Sequence, residues 1–300
     1  QPRWRTSVRI ALTLATTGAG AALALLAFGV NGRLGAGPFA LSLNDSRNPL
    51  AWGSATALCL LIVEWNRPRW RRFAVTVLVA LGLLAIVDFA RRAAPIITDS
   101  DLAVGELYVG MATRGELLVG PYSRFGWHHP GPVFFYLQAP FYALARRQAA
   151  AIYAVAVAIN LTAILTLGWV VARERHRWPL AVLLTGACVL FAWRVPMFLA
   201  SPWTAHVPVL PSLAFLVLAA AVASGRLALM PLAALVASFV AETHVGFVPV
   251  VGAVAAGVLT FCYFEPACDR RLLRSTLNRS AWMCAALWIL PVSEALAHAG

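Results

Sequence analysis

From Ile10 to Val30 the chain carries no charged side chain, and Arg3, Arg5 and Arg9 stand immediately before it. Wound as a helix rising about 1.5 Å per residue, such a stretch crosses a hydrocarbon core of about 30 Å. Backbone polar groups inside a bilayer must be paired within their own segment, so this stretch is committed to helix. Eight further apolar segments follow: Pro49 to Val63, Phe73 to Ala90, Ala151 to Ala172, Pro179 to Leu199, Val207 to Ser224, Leu227 to Ala241, Val245 to Phe264 and Ala281 to Leu296. They explain why 61% of the residues are hydrophobic and mean hydropathy reaches +0.76, more apolar than a soluble core of this length needs. The expected fold class is all-α: a polytopic membrane protein forming a single transmembrane domain over 1–300, with about nine transmembrane helices. The interval 91–150 is expected to be a long external loop carrying two juxtamembrane, interfacial helices. Gln1 is not a translational start, so the chain is expected to be a fragment lacking its natural N-terminus, and a C-terminal portion could also be missing.

Charge orients the spans. All 24 cationic residues are Arg. With the N-terminus in the cytoplasm, the inner segments hold Arg3, Arg5, Arg9, Arg67, Arg69, Arg71, Arg72, Arg173, Arg175, Arg177, Arg226, Arg270, Arg271, Arg274 and Arg279, fifteen of the 24. That agrees with the excess of cations on cytoplasmic loops in membrane proteins. Arginines on both flanks of 227–264, Arg226 before it and Arg270, Arg271, Arg274 and Arg279 after it, favour two passes there, which places Glu242 and His244 at the outer surface rather than at mid-membrane. The polar chemistry then collects on the external face of a cell membrane. No basic face lies on a soluble domain, so nucleic acid is not an expected partner. The five cysteines, Cys59, Cys188, Cys262, Cys268 and Cys284, show neither CxxC nor paired spacing, and read as small core residues.

Carboxylates, arginines, histidines and aromatics gather in one interval, Thr98 to Tyr142. Thr98-Asp99-Ser100-Asp101 reads as a helix start, with Thr98 as N-cap and Asp101 completing a capping box. Asp101, Gly105 and Tyr108 share one face of that helix, and the glycine leaves room for a ligand beside the carboxylate. Capping and chemistry both remain open for Asp101. Asp99 shares the opposite register with Glu106. Beyond Gly115-Glu116, the prolines and glycines of 119–132 forbid continuous helix and predict an irregular connector. It carries Tyr122, Arg124, His128 and His129. Val133 to Ala145, rich in aromatics, reads as a second helix at headgroup level. Adjacent histidines seldom converge on one ion without further ligands, so no metal site is expected. The external acids are compatible with a divalent cation, but the ligand spacing does not support one, and no cofactor is expected.

Asp101, the Gly115-Glu116 pair and His129-Pro130-Gly131-Pro132 leading into an aromatic helix resemble the C-type superfamily of integral-membrane glycosyltransferases. That group includes protein mannosyltransferases, aminoarabinose transferases and actinobacterial arabinosyltransferases. The match is close over about 45 residues; Ser201 to Pro211 and Glu242-Thr243-His244 are similar to two later external corners. The usual acidic pair appears here as Asp101-Leu102, and His-Pro-Pro as His-Pro-Gly. The resemblance implies inverting transfer of a sugar from a polyprenyl-phosphate donor to a glycan, lipid or protein acceptor at the outer face. Such chemistry needs a general base, positive charge on the departing phosphate and a groove for the lipid. Asp101 is the candidate base, with Asp99 as the alternative. Arg124, Arg114 and His129 are candidates for the donor phosphate, though interfacial arginines also bind ordinary lipid headgroups. His128, Glu106, Tyr122, His206, Glu242 and His244 are the substrate-binding candidates. Two other readings stay open: a flippase or transporter of lipid or lipid-linked sugar, and a non-catalytic membrane scaffold.

Overall fold

A computed structural model describes residues 3–27, 33–34, 41–42, 53, 56–57, 59–60, 67–93, 96–123, 125–173, 178–195 and 197–297. They are helical almost throughout. Extended pairing among them is limited to a two-residue antiparallel ladder, Arg33–Leu34 with Leu41–Ser42, and one bridge between Tyr122 and His128. Five helical stretches are long and apolar enough to cross a membrane: Ser7–Leu26, Pro68–Arg91, Ala150–Ala172, Val245–Phe264 and Arg270–Ala297. This is consistent with a multi-pass membrane protein. Most of the segment expected to span at 49–63 lies outside the described residues. The chain divides into two compact units, Gln1–Ile96 with Leu144–Ala151, and Ile97–Ala143 with Ile152–Gly300.

In the first unit α1 (Arg3–Ala27) packs on α2 (Pro68–Arg92), burying Ala22, Leu23, Leu26 and Leu81 together. Pro68 opens α2 at a position where its missing N–H costs nothing. A Cβ at Gly53 would stand 3.0 Å from both Ala19 Cβ and Leu81 Cδ1, so glycine there permits the close approach. The Thr16 and Thr56 hydroxyls meet at 2.9 Å, a polar tie between apolar surfaces.

The second unit holds the polar interval. Its elements are α3 (Ser100–Thr113), α4 (Val133–Leu144), α5 (Ala150–Ala172), α6 (Trp178–Arg194), the short α7 (Met197–Ala200), α8 (Val209–Ala223), α9 (Met230–Thr243), α10 (Val248–Phe264) and α11 (Arg270–Ala297). The hub is α9, packed against α8, α10 and α11. Its small residues Ala233, Ala237, Ser238 and Ala241 are buried and let the neighbouring backbones come close. Val236 and Ala237 of α9 cluster with Val251, Val254 and Val258 of α10. The two helices therefore fold back on each other, which one kinked helix through 227–264 could not do. By contrast α10 and α11 leave Tyr263, Phe264, Trp282 and Ile289 exposed, an apolar surface suited to lipid. The apolar span expected at 281–296 is the C-terminal part of α11. That helix starts earlier because Asp269 Oδ1 accepts the N–H groups of Arg271 and Leu272, each at 3.0 Å, and caps it.

Candidate functional site

The helix that carries Asp101 starts one residue later than its capping pattern suggests. Asp99 is the N-cap of α3 by backbone conformation, with no side-chain cap bond. Thr98 instead donates its hydroxyl to Glu106 Oε2 at 2.6 Å, while Tyr142 donates to Glu106 Oε1 at 2.9 Å. Glu106 thus fastens the chain before α3 to α4. Released from a capping box, Asp101 stands exposed at the helix head with no hydrogen bond or ion pair among the described residues. The other end of α3 follows its sequence: Gly115 takes φ +72°, the left-handed conformation that commonly ends helices.

The connector is more ordered than its prolines and glycines imply. Gly120 N–H donates to His129 O and His129 N–H to Pro121 O, both at 2.9 Å, and Ser123 N–H donates to Trp127 O at 2.7 Å. These bonds make a small hairpin. Gly126 turns it at φ +90°, and a Cβ at Gly120 would come within 2.7 Å of His129 Cβ. Tyr108, expected to share a ligand-facing side with Asp101, accepts the Tyr122 N–H at 3.2 Å and packs on Phe135. Its role is to hold the hairpin down. At the hairpin's outer end the rings of Phe125 and Trp127 are exposed and stacked at 5.4 Å, a pair fitted to the headgroup layer.

These elements surround a cavity of about 470 Å³. Asp101, Leu102, Val104 and Gly105 contribute from α3, and Pro121, Tyr122, Ser123, Phe125 and His129 from the hairpin. Phe135, Gln138 and Ile152 line it from α4 and α5. Pro202, Trp203, Thr204 and Ala205 close it on another side with His244. Beside Asp101, a Cβ at Gly105 would meet nothing within 4 Å, so the space left by the absent side chain is open.

His129 and His244 form the polar wall. Their rings lie 4.6 Å apart at 39°. The Val245 N–H donates to His129 Nδ1 at 3.2 Å, and the Gly246 N–H donates to His244 Nδ1 at 3.1 Å. An Nδ1 that accepts carries no proton, so each neutral ring carries its hydrogen on Nε2. Burial, reinforced by His244 and His128, lowers the His129 pKa to about 4, and burial lowers that of His244 as well. At neutral pH the pair therefore offers N–H donors, and neither ring in this tautomer can take a proton at Nε2. Among the described residues that line the cavity, Asp101 carries the one carboxyl group. His128 differs: its Nδ1 lies 3.0 Å from Gly120 O and must donate there, and its ring meets Tyr122 edge-on outside the cavity lining.

Glu242 sits behind this wall. It is fully buried at the end of α9, just past the apolar run that closes at Ala241, and a Cβ at Gly131 would fall on its carboxyl group. The Gly131 N–H donates to Glu242 backbone O at 3.1 Å, tying the connector to the α9–α10 turn. Neither carboxyl oxygen completes a sound hydrogen bond among the described residues, although the Val133 N–H faces the group. Burial raises the Glu242 pKa to about 7, so the proton stays on through the mildly acidic range.

The remaining candidates fall elsewhere. Arg114 pairs with Glu116 at 2.6 Å on the surface, away from the cavity lining. His206 packs edge-on against Trp203 at 4.6 Å and against Phe198, bracing the wall from behind, and burial lowers its pKa. Asp99 and Glu106 do not line the cavity. Arg124 lies outside the described residues, between Ser123 and Phe125, which both line it. Among the described residues no group of three or more His, Cys, Asp and Glu side chains is placed to hold a metal ion. Three polar side chains absent from the sequence candidates line the cavity, Ser123, Thr204 and Gln138, and of these Gln138 is the buried one, 1% exposed and the lone amide of the aromatic helix α4. Its signal was present in the spacing, since Phe134, Phe135, Gln138, Ala139 and Tyr142 form the buried face of that helix. The chain matches no family model, no curated protein and no solved structure.

Proposed function

We propose that the chain is a membrane glycosyltransferase of the C-type superfamily, transferring a sugar from a polyprenyl-phosphate donor to an acceptor with inversion. One observation carries the reading: an open carboxylate, Asp101, and two histidines fixed as Nε2–H donors line the same cavity. The acceptor hydroxyl gives its proton to Asp101 as its oxygen bonds to the anomeric carbon. The bond from that carbon to the phosphate oxygen breaks on the opposite face, and polyprenyl phosphate leaves with the electron pair. His129 and His244 hydrogen-bond the departing phosphate, and Arg124 supplies the cation that neutral imidazoles lack. The charge distribution, read as nine spans with a cytoplasmic N-terminus, supports an external face of the cell membrane as the side on which this chemistry runs.

The direct test is Asp101→Asn in purified, bilayer-reconstituted protein, assayed for sugar transfer from a polyprenyl-phosphate donor. Loss of transfer with donor binding retained is expected, since general-base catalysis contributes roughly 10²- to 10⁴-fold. Full activity in that variant removes the assignment. A flippase would instead move the lipid-linked sugar between leaflets without changing its glycosidic linkage, which a vesicle assay separates from transfer.

A further inference from the structure

Gln138 is buried to 1% exposure in a helix whose other inward residues are apolar or aromatic. Its Nε2 donates to the Ile152 carbonyl at 3.4 Å. A carbonyl can only accept, so the nitrogen faces Ile152 and Oε1 points elsewhere. Oε1 has no hydrogen-bond partner among the described residues. An unmet acceptor in an apolar setting is a standing cost, and native interiors seldom retain one without a ligand, a water or an ion to meet it. The 3.4 Å contact is long and correspondingly weak, so it orients the amide without locking it, and a rotation of the amide is what brings Oε1, itself closed to solvent, to a ligand.

The surroundings say what kind of donor. Gln138 lines the cavity between Phe135 and Ile152, two apolar neighbours that exclude competing water, while Asp101 and the two histidines stand on other parts of the lining. A ligand with its reacting centre near Asp101 and a hydroxyl at its far edge meets both sets of groups. Resting on the glycosyl-transfer reading above, we infer that Gln138 is a specificity residue for the donor sugar: its Oε1 accepts a hydrogen bond from one sugar hydroxyl, and deoxy sugars at that position are discriminated against. A site built to hydrogen-bond a hydroxyl rejects the analogue lacking it more strongly than an apolar pocket rejects an extra group.

Trp203 lines the same cavity and provides a fluorescence reporter. Reconstituted protein is titrated with farnesyl phosphates of mannose, glucose, galactose and arabinofuranose, and then with the monodeoxy and deoxyfluoro analogues of the tightest binder. Fluorine can accept but not donate, so both analogues at the critical position should weaken wild-type binding by roughly ten- to a hundredfold. In Gln138→Met, which keeps the volume, the parent sugar should bind correspondingly less well and the deoxy penalty should vanish. The same penalty in Gln138→Met overturns this assignment and leaves glycosyl transfer standing. A wild type for which no single hydroxyl matters more than about twofold also overturns it, whether or not the variant folds, and indicates that a buried water meets Oε1. If no farnesyl-phosphate sugar binds the wild type at all, the glycosyl-transfer reading falls and takes this assignment with it.

Discussion

Two carboxyl groups flank the same site and live under opposite conditions. Asp101 stands at the head of α3, exposed and lining the cavity; Glu242 ends α9, fully buried and covered by Gly131. The first can exchange a proton with a bound molecule because water and ligand reach it. The second meets neither, and the low polarity around it favours the neutral acid. Access thus separates two acidic residues beside one cavity, and in the proposed reaction it assigns the chemistry to Asp101 and leaves Glu242 a part of the packing.

The sharpest way to break that division is to neutralise each in turn. Asp101→Asn should abolish transfer with an unaltered melting temperature, whereas Glu242→Gln should leave turnover within about tenfold and act chiefly on stability. Equal losses of turnover would end the contrast. Next in size is Gly131→Ala, which puts a methyl group on the Glu242 carboxyl. Overpacking of that kind costs roughly 1–3 kcal/mol, readable in thermal unfolding, and pairing it with Glu242→Ala should recover part of the loss.

Titration sharpens the comparison further. The Glu242 pKa is raised to about 7, so its contribution to stability is complete below the ordinary carboxylate range and is lost as pH rises through about 7. The His129 pKa is lowered to about 4, so its contribution is complete above the ordinary imidazole value and is lost as pH falls toward about 4. Melting temperature against pH should therefore lose its alkaline-side slope in Glu242→Gln and its acid-side slope in His129→Asn. The smallest effect belongs to Arg114→Ala. Exposed ion pairs are worth little, and the residue lies off the cavity lining, so donor KM should stay within about twofold. A larger change would return Arg114 to the phosphate site.

What the sequence made legible was periodicity and punctuation. The aromatic helix expected over 133–145 forms as Val133–Leu144, Gly115 ends α3, and 227–264 makes two helices, as the flanking arginines suggested. Helix-length apolar runs and left-handed glycines are local properties, so they can be read locally. The hairpin at 120–129 could not be read this way, because its partners are backbone groups and its prolines and glycines carry the same signature as irregular chain. Capping was misplaced by one residue because Thr98 found Glu106, a choice made by the tertiary fold. Nor did composition distinguish Asp101 from Glu242: each is an acid beside a turn, and only packing shows which one is sealed.

The bond from Val245 N–H to His129 Nδ1 joins residues 116 positions apart, and Gly131 N–H to Glu242 O closes a loop of similar length beside it. Translation has a direction, so the hairpin emerges long before the turn that secures it. While α5, α6 and α8 are being made the histidine wall has no second half, and only the arrival of α9 and the α9–α10 turn completes it. A nascent chain arrested before residue 245 can own Asp101 and the cavity's floor, yet it lacks the amide that fixes the His129 tautomer. Completion of the histidine wall is thus a late event in the synthesis of the chain, reached when the α9–α10 turn docks.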